Sequence, residues 1–149
     1  MNIKRAIGIS VAAYIVTFLL TIIISIVIGF DFTEATDPSD VPQMFLLFGS
    51  AAAVVIMILS TFWYFKKEGL VPSAGHGFGF GLTAIVIAFI LDFLSVVPLL
   101  FTDENALAFL GSYYATPAFI ITVVLIILVT TGVGYYLGTK TPSQDSLQQ

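Results

Sequence analysis

Charge placement is what most restricts the fold of this chain. Apart from Asp92, every charged side chain between Arg5 and Lys140 lies in one of three short clusters, residues 31–40, 66–68 and 103–104. The intervals 6–30, 41–65, 69–102 and 105–139 are otherwise uncharged and strongly apolar. A hydrocarbon core ~30 Å thick is crossed by about 20 helical residues at ~1.5 Å each, so every interval is long enough to span it. With 58% hydrophobic residues, 9% charged residues and a mean hydropathy of +1.06, the composition agrees. An ordinary soluble domain carries roughly 25% charged residues. The expected fold class is therefore an all-α integral membrane protein, a four-transmembrane-helix bundle.

Boundary residues sharpen the spans. Lys4 and Arg5 precede the first, expected over 6–30; a cleaved signal peptide would have an apolar core of only ~7 to 15 residues with a small-residue cleavage site, so this run reads as a retained helix. Residues 31–40 form a polar loop whose acids, Asp31, Glu34, Asp37 and Asp40, lack the spacing and the glycine of an EF-hand. Asp40 is the expected N-cap of the second span, 41–65, with Pro42 in its first turn. That span closes on Phe62, Trp63, Tyr64 and Phe65 followed by lysines, as membrane interfaces do. A third span is expected over 76–101. Gly111, Ser112 and Pro117 divide the next 35 uncharged residues into a short interfacial helix, about 105–110, and a fourth span, 116–138. Residues 1–139 thus make one membrane domain, and 140–149 read as a disordered cytoplasmic tail.

All five cations, Lys4, Arg5, Lys66, Lys67 and Lys140, fall on the side of the termini and the middle loop, whereas the other two loops hold six acids and no base. The positive-inside rule then predicts both termini in the cytoplasm. The expected location is a bacterial-type plasma (inner) membrane, with the lipid bilayer as the first partner. Pro42 before Lys66 and Pro117 before Lys140 suggest two similarly oriented hairpins, a layout known in transporters with parallel repeats.

Several chemistries are excluded. No cysteine is present, so disulfides, thiolate catalysis and Cys-based metal sites are impossible, and one histidine, His76, cannot build a multi-His centre within a chain. No polar stretch exceeds about a dozen residues, whereas a soluble catalytic domain needs at least ~50. No enzyme activity, cofactor, metal or nucleic-acid partner is expected. The glycines at 75, 77, 79 and 81 lack the spacing and the preceding strand of a nucleotide loop.

Lipid provides no hydrophobic force between helices, so small and polar residues mark the contacts. Gly77, Gly81, Ala84, Ala88, Asp92 and Ser95 recur at three- and four-residue spacing, on one face of the third span. Ser10, Tyr14, Thr17, Thr21 and Ser25 form a second stripe on the first span, and the two stripes are expected to meet or to share an interior. Gly134 and Gly138 provide a small-residue contact on the fourth.

Asp92 carries what chemistry the sequence suggests. A charged Asp in a membrane helix costs on the order of 2.5 to 3.5 kcal/mol. No Lys or Arg of the chain lies near enough to offset it. Three ways out remain: a protonated acid that donates a hydrogen bond, a bound cation, or positive charge from a partner membrane protein. Ser95 and the Leu94 carbonyl, which Pro98 cannot engage, would complete an oxygen set with Asp92. The leading functional expectation is a non-enzymatic helix-packing component or subunit of a membrane assembly, alone, as a homo-oligomer or with a partner. The alternative is a small proton- or cation-coupled transporter or channel, with Asp92 as carrier and Ser95, Thr17 and Thr21 as candidate lining.

Overall fold

The computed structural model describes residues 1–30, 38–66, 69–98 and 106–140. Every regular element among them is helical: α1 (Ile3–Ile28), a 3₁₀ turn (Pro38–Asp40), α2 (Gln43–Phe65), α3 (Ala74–Val96), α4 (Ala106–Tyr114) and α5 (Pro117–Lys140). Four of these, α1, α2, α3 and α5, are long and apolar enough to cross a membrane. Only 11% to 22% of the residues in their most apolar windows are buried. Large side chains such as Ile26, Val27, Leu47 and Leu128 point outward, uncovered. Within hydrocarbon that surface costs nothing, and a helix satisfies its backbone N–H and C=O groups internally.

Local chemistry sets the helix ends. The Asn2 side chain accepts from the Arg5 N–H at the start of α1, and Gly29, with φ 73°, ends it in the left-handed conformation that glycine adopts without penalty. Ser73 caps α3 by accepting from the His76 N–H. The Thr116 hydroxyl accepts from the Phe119 N–H, with Pro117 next in line as the first residue of α5. Three boundaries differ from expectation. Helix α4 runs through Gly111 and Ser112 to Tyr114 instead of ending at 110. Asp40 belongs to the 3₁₀ turn, and the cap position of α2 is Pro42, which supplies no side-chain bond. Helix α3 stops at Val96 rather than near 101: Val97 keeps right-handed helical dihedrals and bonds the Phe93 carbonyl, but Pro98 has no N–H with which to continue the ladder. The acids at 31, 34 and 37, the pair at 103–104 and the expected tail at 141–149 lie outside the described residues.

Around the bundle the long helices follow the order α1, α2, α5, α3, so α1 neighbours α3 and α2 neighbours α5. Both neighbouring pairs run parallel: Met1 meets His76 at the start of α3, and Ser50 of α2 meets Thr122 of α5 one to two turns into each helix. The α1–α2 and α3–α5 hairpins therefore lie side by side in the same sense. A two-fold axis along the bundle would place α1 diagonal to α3, and it does not describe this ring.

Helices α3 and α5 pack closest. A Cβ on Gly77 would collide with the Thr130 carbonyl, one on Gly81 with the Thr130 hydroxyl, and one on Gly134 with the Ser73 carbonyl; at Gly138 it would crowd the Pro72 carbonyl. The four glycines thus form one interface, as small residues do where helix backbones approach. The tightest packing lies at the end carrying Arg5 and Lys66. There Tyr64 stacks on Phe80 with ring centroids 4.8 Å apart, both fully buried among Ala6, Ile9 and Phe65. Arg5 closes this end by donating to the carbonyls of Trp63 (2.6 Å) and Tyr64 (3.1 Å), in the last turn of α2, where positive charge also suits the helix dipole.

Candidate functional site

Asp92 lies one turn before the end of α3, on the face toward α1, and is half-buried. The Tyr14 hydroxyl of α1 donates to its Oδ1 at 2.6 Å, and the Tyr114 hydroxyl, from the last residue of α4, donates to its Oδ2 at 3.0 Å. Hydrogen bonds to a charged group are worth roughly 1.5 to 3 kcal/mol each, so two of them offset a membrane Asp on the scale of its insertion cost. This is a fourth solution beside protonation, a bound cation and a partner's charge: two phenols of the same chain.

Both tyrosines are held in place. Tyr14 stands in the hydroxyl stripe of α1, one turn above Ser10 and one turn below Thr17 and Phe18, on whose ring it stacks. Tyr114 meets Phe89 edge-on (4.6 Å) and Phe119 (4.8 Å), rings from α3 and α5 that lie beneath α4. The turn at 115–116 makes this possible by folding α4 back onto the bundle, with the Thr116 amide bonded to the Tyr113 carbonyl. Burial first, then the nearby Asp92 charge, pushes the Tyr113 and Tyr114 phenols above their ordinary range, so both remain hydroxyl donors.

Two cavities meet at this acid. The outer one, about 270 Å³, is bounded by Thr21, Phe45, Gly49, Ser50 and Tyr113 and reaches Asp92 and Tyr14. The inner one, about 120 Å³, starts from the same Asp92 and Tyr14 and runs between the helices to Ser10, Met57 and Ala84. Thr17, Ala88 and Thr122 border both. Beyond Met57 the buried Tyr64–Phe80 stack closes the bundle. Ser10 is 2% exposed, and its hydroxyl has no hydrogen-bond partner among the described residues.

The sequence-derived candidates divide accordingly. Asp92, Thr17 and Thr21 come together, with Thr21 donating to the Thr17 carbonyl at 2.8 Å. Ser95 is exposed and donates to the Leu91 carbonyl at 2.8 Å rather than to Asp92, while its side chain reaches the Tyr14 hydroxyl that holds Asp92. The α3 stripe splits in two, Gly77 and Gly81 turning to α5 while Ala84 and Ala88 line the inner cavity. Sequence reasoning missed Tyr114 and the hydroxyl pair of Ser50 and Thr122, 2.7 Å apart. Nothing in the periodicity of the third span points to Tyr114, since the contact depends on how a separate short helix folds back. Among the described residues no three His, Asp or Glu side chains cluster as metal ligands. No family model, curated protein or solved structure matches the chain.

Proposed function

We propose that this is a polytopic membrane protein, both termini cytoplasmic, that takes up protons or small cations from the outer side through Asp92. The observation that carries the reading is the position of Asp92: both its oxygens are held by phenols at the junction of an outer and an inner cavity, not against a lipid-facing or tightly packed surface. An acid needed only to join helices has no reason to border open space on two sides. Orientation rests on the segregation of the five cations, which puts the Arg5 and Lys66 end in the cytoplasm and the outer cavity toward the opposite side. The Tyr64–Phe80 stack closes the cytoplasmic end, as the outward-facing state of an alternating-access carrier requires.

A second reading, a helix-packing component of a larger assembly, is favoured by the same two tyrosine bonds, because they leave Asp92 satisfied without any ion. The readings separate on Asp92→Asn. An amide keeps the packing and can still accept from a phenol, so a structural role survives the change, whereas ion flux into liposomes containing the purified protein is lost with the carboxylate. Folded variant protein that transports as well as the wild type would overturn the transport reading.

A further inference from the structure

Resting on the transport reading, the structure assigns a cargo to the site: we propose that the inner chamber between Asp92 and Ser10 holds water and that the ion handled there is the proton.

Size removes organic substrates from the inner chamber first. Ligand pockets for small molecules usually occupy roughly 300 to 1,000 Å³. The chamber is about 120 Å³, and water takes up ~30 Å³ per molecule in the liquid, so a short file of waters fills it. Metal cations fit poorly for a different reason. Hard cations collect about six or more oxygens, commonly from several carboxylates and free carbonyls. Here, among the described residues, Asp92 is the single carboxylate on either cavity, and one lone pair on each of its oxygens already takes a phenol proton. Most of the remaining wall is apolar and coordinates nothing; Thr17 and Thr122 add only neutral hydroxyls, and that of Thr122 already donates to the Ala118 carbonyl at 2.8 Å.

Water, by contrast, has partners at both ends. At one end stand Asp92 and the Tyr14 hydroxyl, 2.6 Å apart. The other is bordered by Ser10, buried and without a hydrogen-bond partner among the described residues. Unpaired buried hydroxyls are costly, and an internal water is the usual remedy. Ser10 and Tyr14 sit four residues apart on one face of α1, about 6 Å along the axis, a gap that one or two waters bridge. A proton arriving as hydronium in the outer cavity forms an O–H bond on Asp92 and leaves a neutral water behind. Release reverses this on the inner side, the Asp92 O–H breaking as a chamber water becomes hydronium. Ser10 then serves as a positioning residue for the inner waters and exchanges no proton of its own.

The full chain in liposomes with an internal pH dye and a K⁺ diffusion potential tests this, with Na⁺, methylammonium or only an impermeant organic cation as the other external cation. Proton uptake is expected in the impermeant-cation buffer, unchanged by Na⁺ or methylammonium and lost in Asp92→Asn. Ser10→Ala should slow it about tenfold, the ratio set by one ordinary hydrogen bond, while Ser10→Thr retains it. In parallel, water-edited solid-state NMR of the wild-type protein should show water contacts at Ser10 and Ala84. Uptake that requires Na⁺ or methylammonium and is lost in Asp92→Asn overturns the proton assignment while leaving the Asp92 reading standing. A dry chamber by NMR overturns the water file whatever the variants do. Absence of flux in every buffer removes both the assignment and the transport reading.

Discussion

The Tyr14 hydroxyl donates to Asp92 Oδ1 across 2.6 Å and so links the hydroxyl stripe of α1 to the small-residue stripe of α3. The bond joins two parallel helices that are not consecutive in sequence, and it is reinforced from above by Tyr114 on Oδ2. A double-mutant cycle measures its worth. Tyr14→Phe and Asp92→Ala, singly and together, should give a coupling of roughly 1.5 to 3 kcal/mol if the acid is charged and about 1 kcal/mol if it is neutral. Unfolding in detergent provides the readout, and additive effects would mean that the bond contributes nothing.

The α3–α5 interface should be intolerant of even one methyl group. Gly77→Ala and Gly134→Ala each bring a Cβ against a main-chain carbonyl, which cannot move as a side chain would. A loss of ~1 to 3 kcal/mol is expected for each, the usual cost of overpacking. Gly49→Ala and Gly132→Ala meet nothing within 4 Å and should change stability by less than ~1 kcal/mol. Equal losses at all four positions would contradict the close approach of these two helices.

The Tyr114 contact should be insensitive to pH across the physiological range. Burial and the Asp92 charge raise this phenol above its ordinary value of about 10, so the folded protein holds the proton more tightly than the unfolded chain does. Its contribution to stability is therefore complete below about pH 10 and is lost as pH rises through the folded-state value. Ultraviolet difference spectra of wild type against Tyr114→Phe should show no Tyr114 ionisation at pH 10. Ionisation of this phenol at or below that pH would place it in water, away from Asp92.

Orientation has a direct chemical check. The chain lacks cysteine, so single cysteines at Thr36 and Ser143 are unique labels. A membrane-impermeant maleimide applied to intact cells should modify the first and not the second, and the reverse pattern would invert the topology.

Much of the architecture is legible because long apolar stretches between charged clusters simplify the pattern. Four uncharged stretches give the four long helices, and Pro98, Pro117 and Gly29 mark their ends through backbone chemistry that needs no tertiary context. The glycines at 77, 81, 134 and 138 announce close packing, but not that they pack against one another, since helix periodicity defines a face without naming its neighbour. The same limit applies at the site. Asp92 is conspicuous by charge and Tyr14 by its place in a hydroxyl stripe. Tyr114 is not, because only the turn at 115–116 returns it to the bundle. Ser95 is legible only in part: three residues from Asp92 on a helix, its hydroxyl donates to the Leu91 carbonyl one turn back, and its contact with the Tyr14 side chain depends on how α1 and α3 pack.

The most direct test of the central claim compares wild type with Asp92→Asn in the same liposome preparation, with folding of both checked by size-exclusion profile and helicity. Ion uptake should be present in the wild type and fall to the rate of protein-free liposomes in the variant. Uptake by folded Asp92→Asn at the wild-type rate would contradict it.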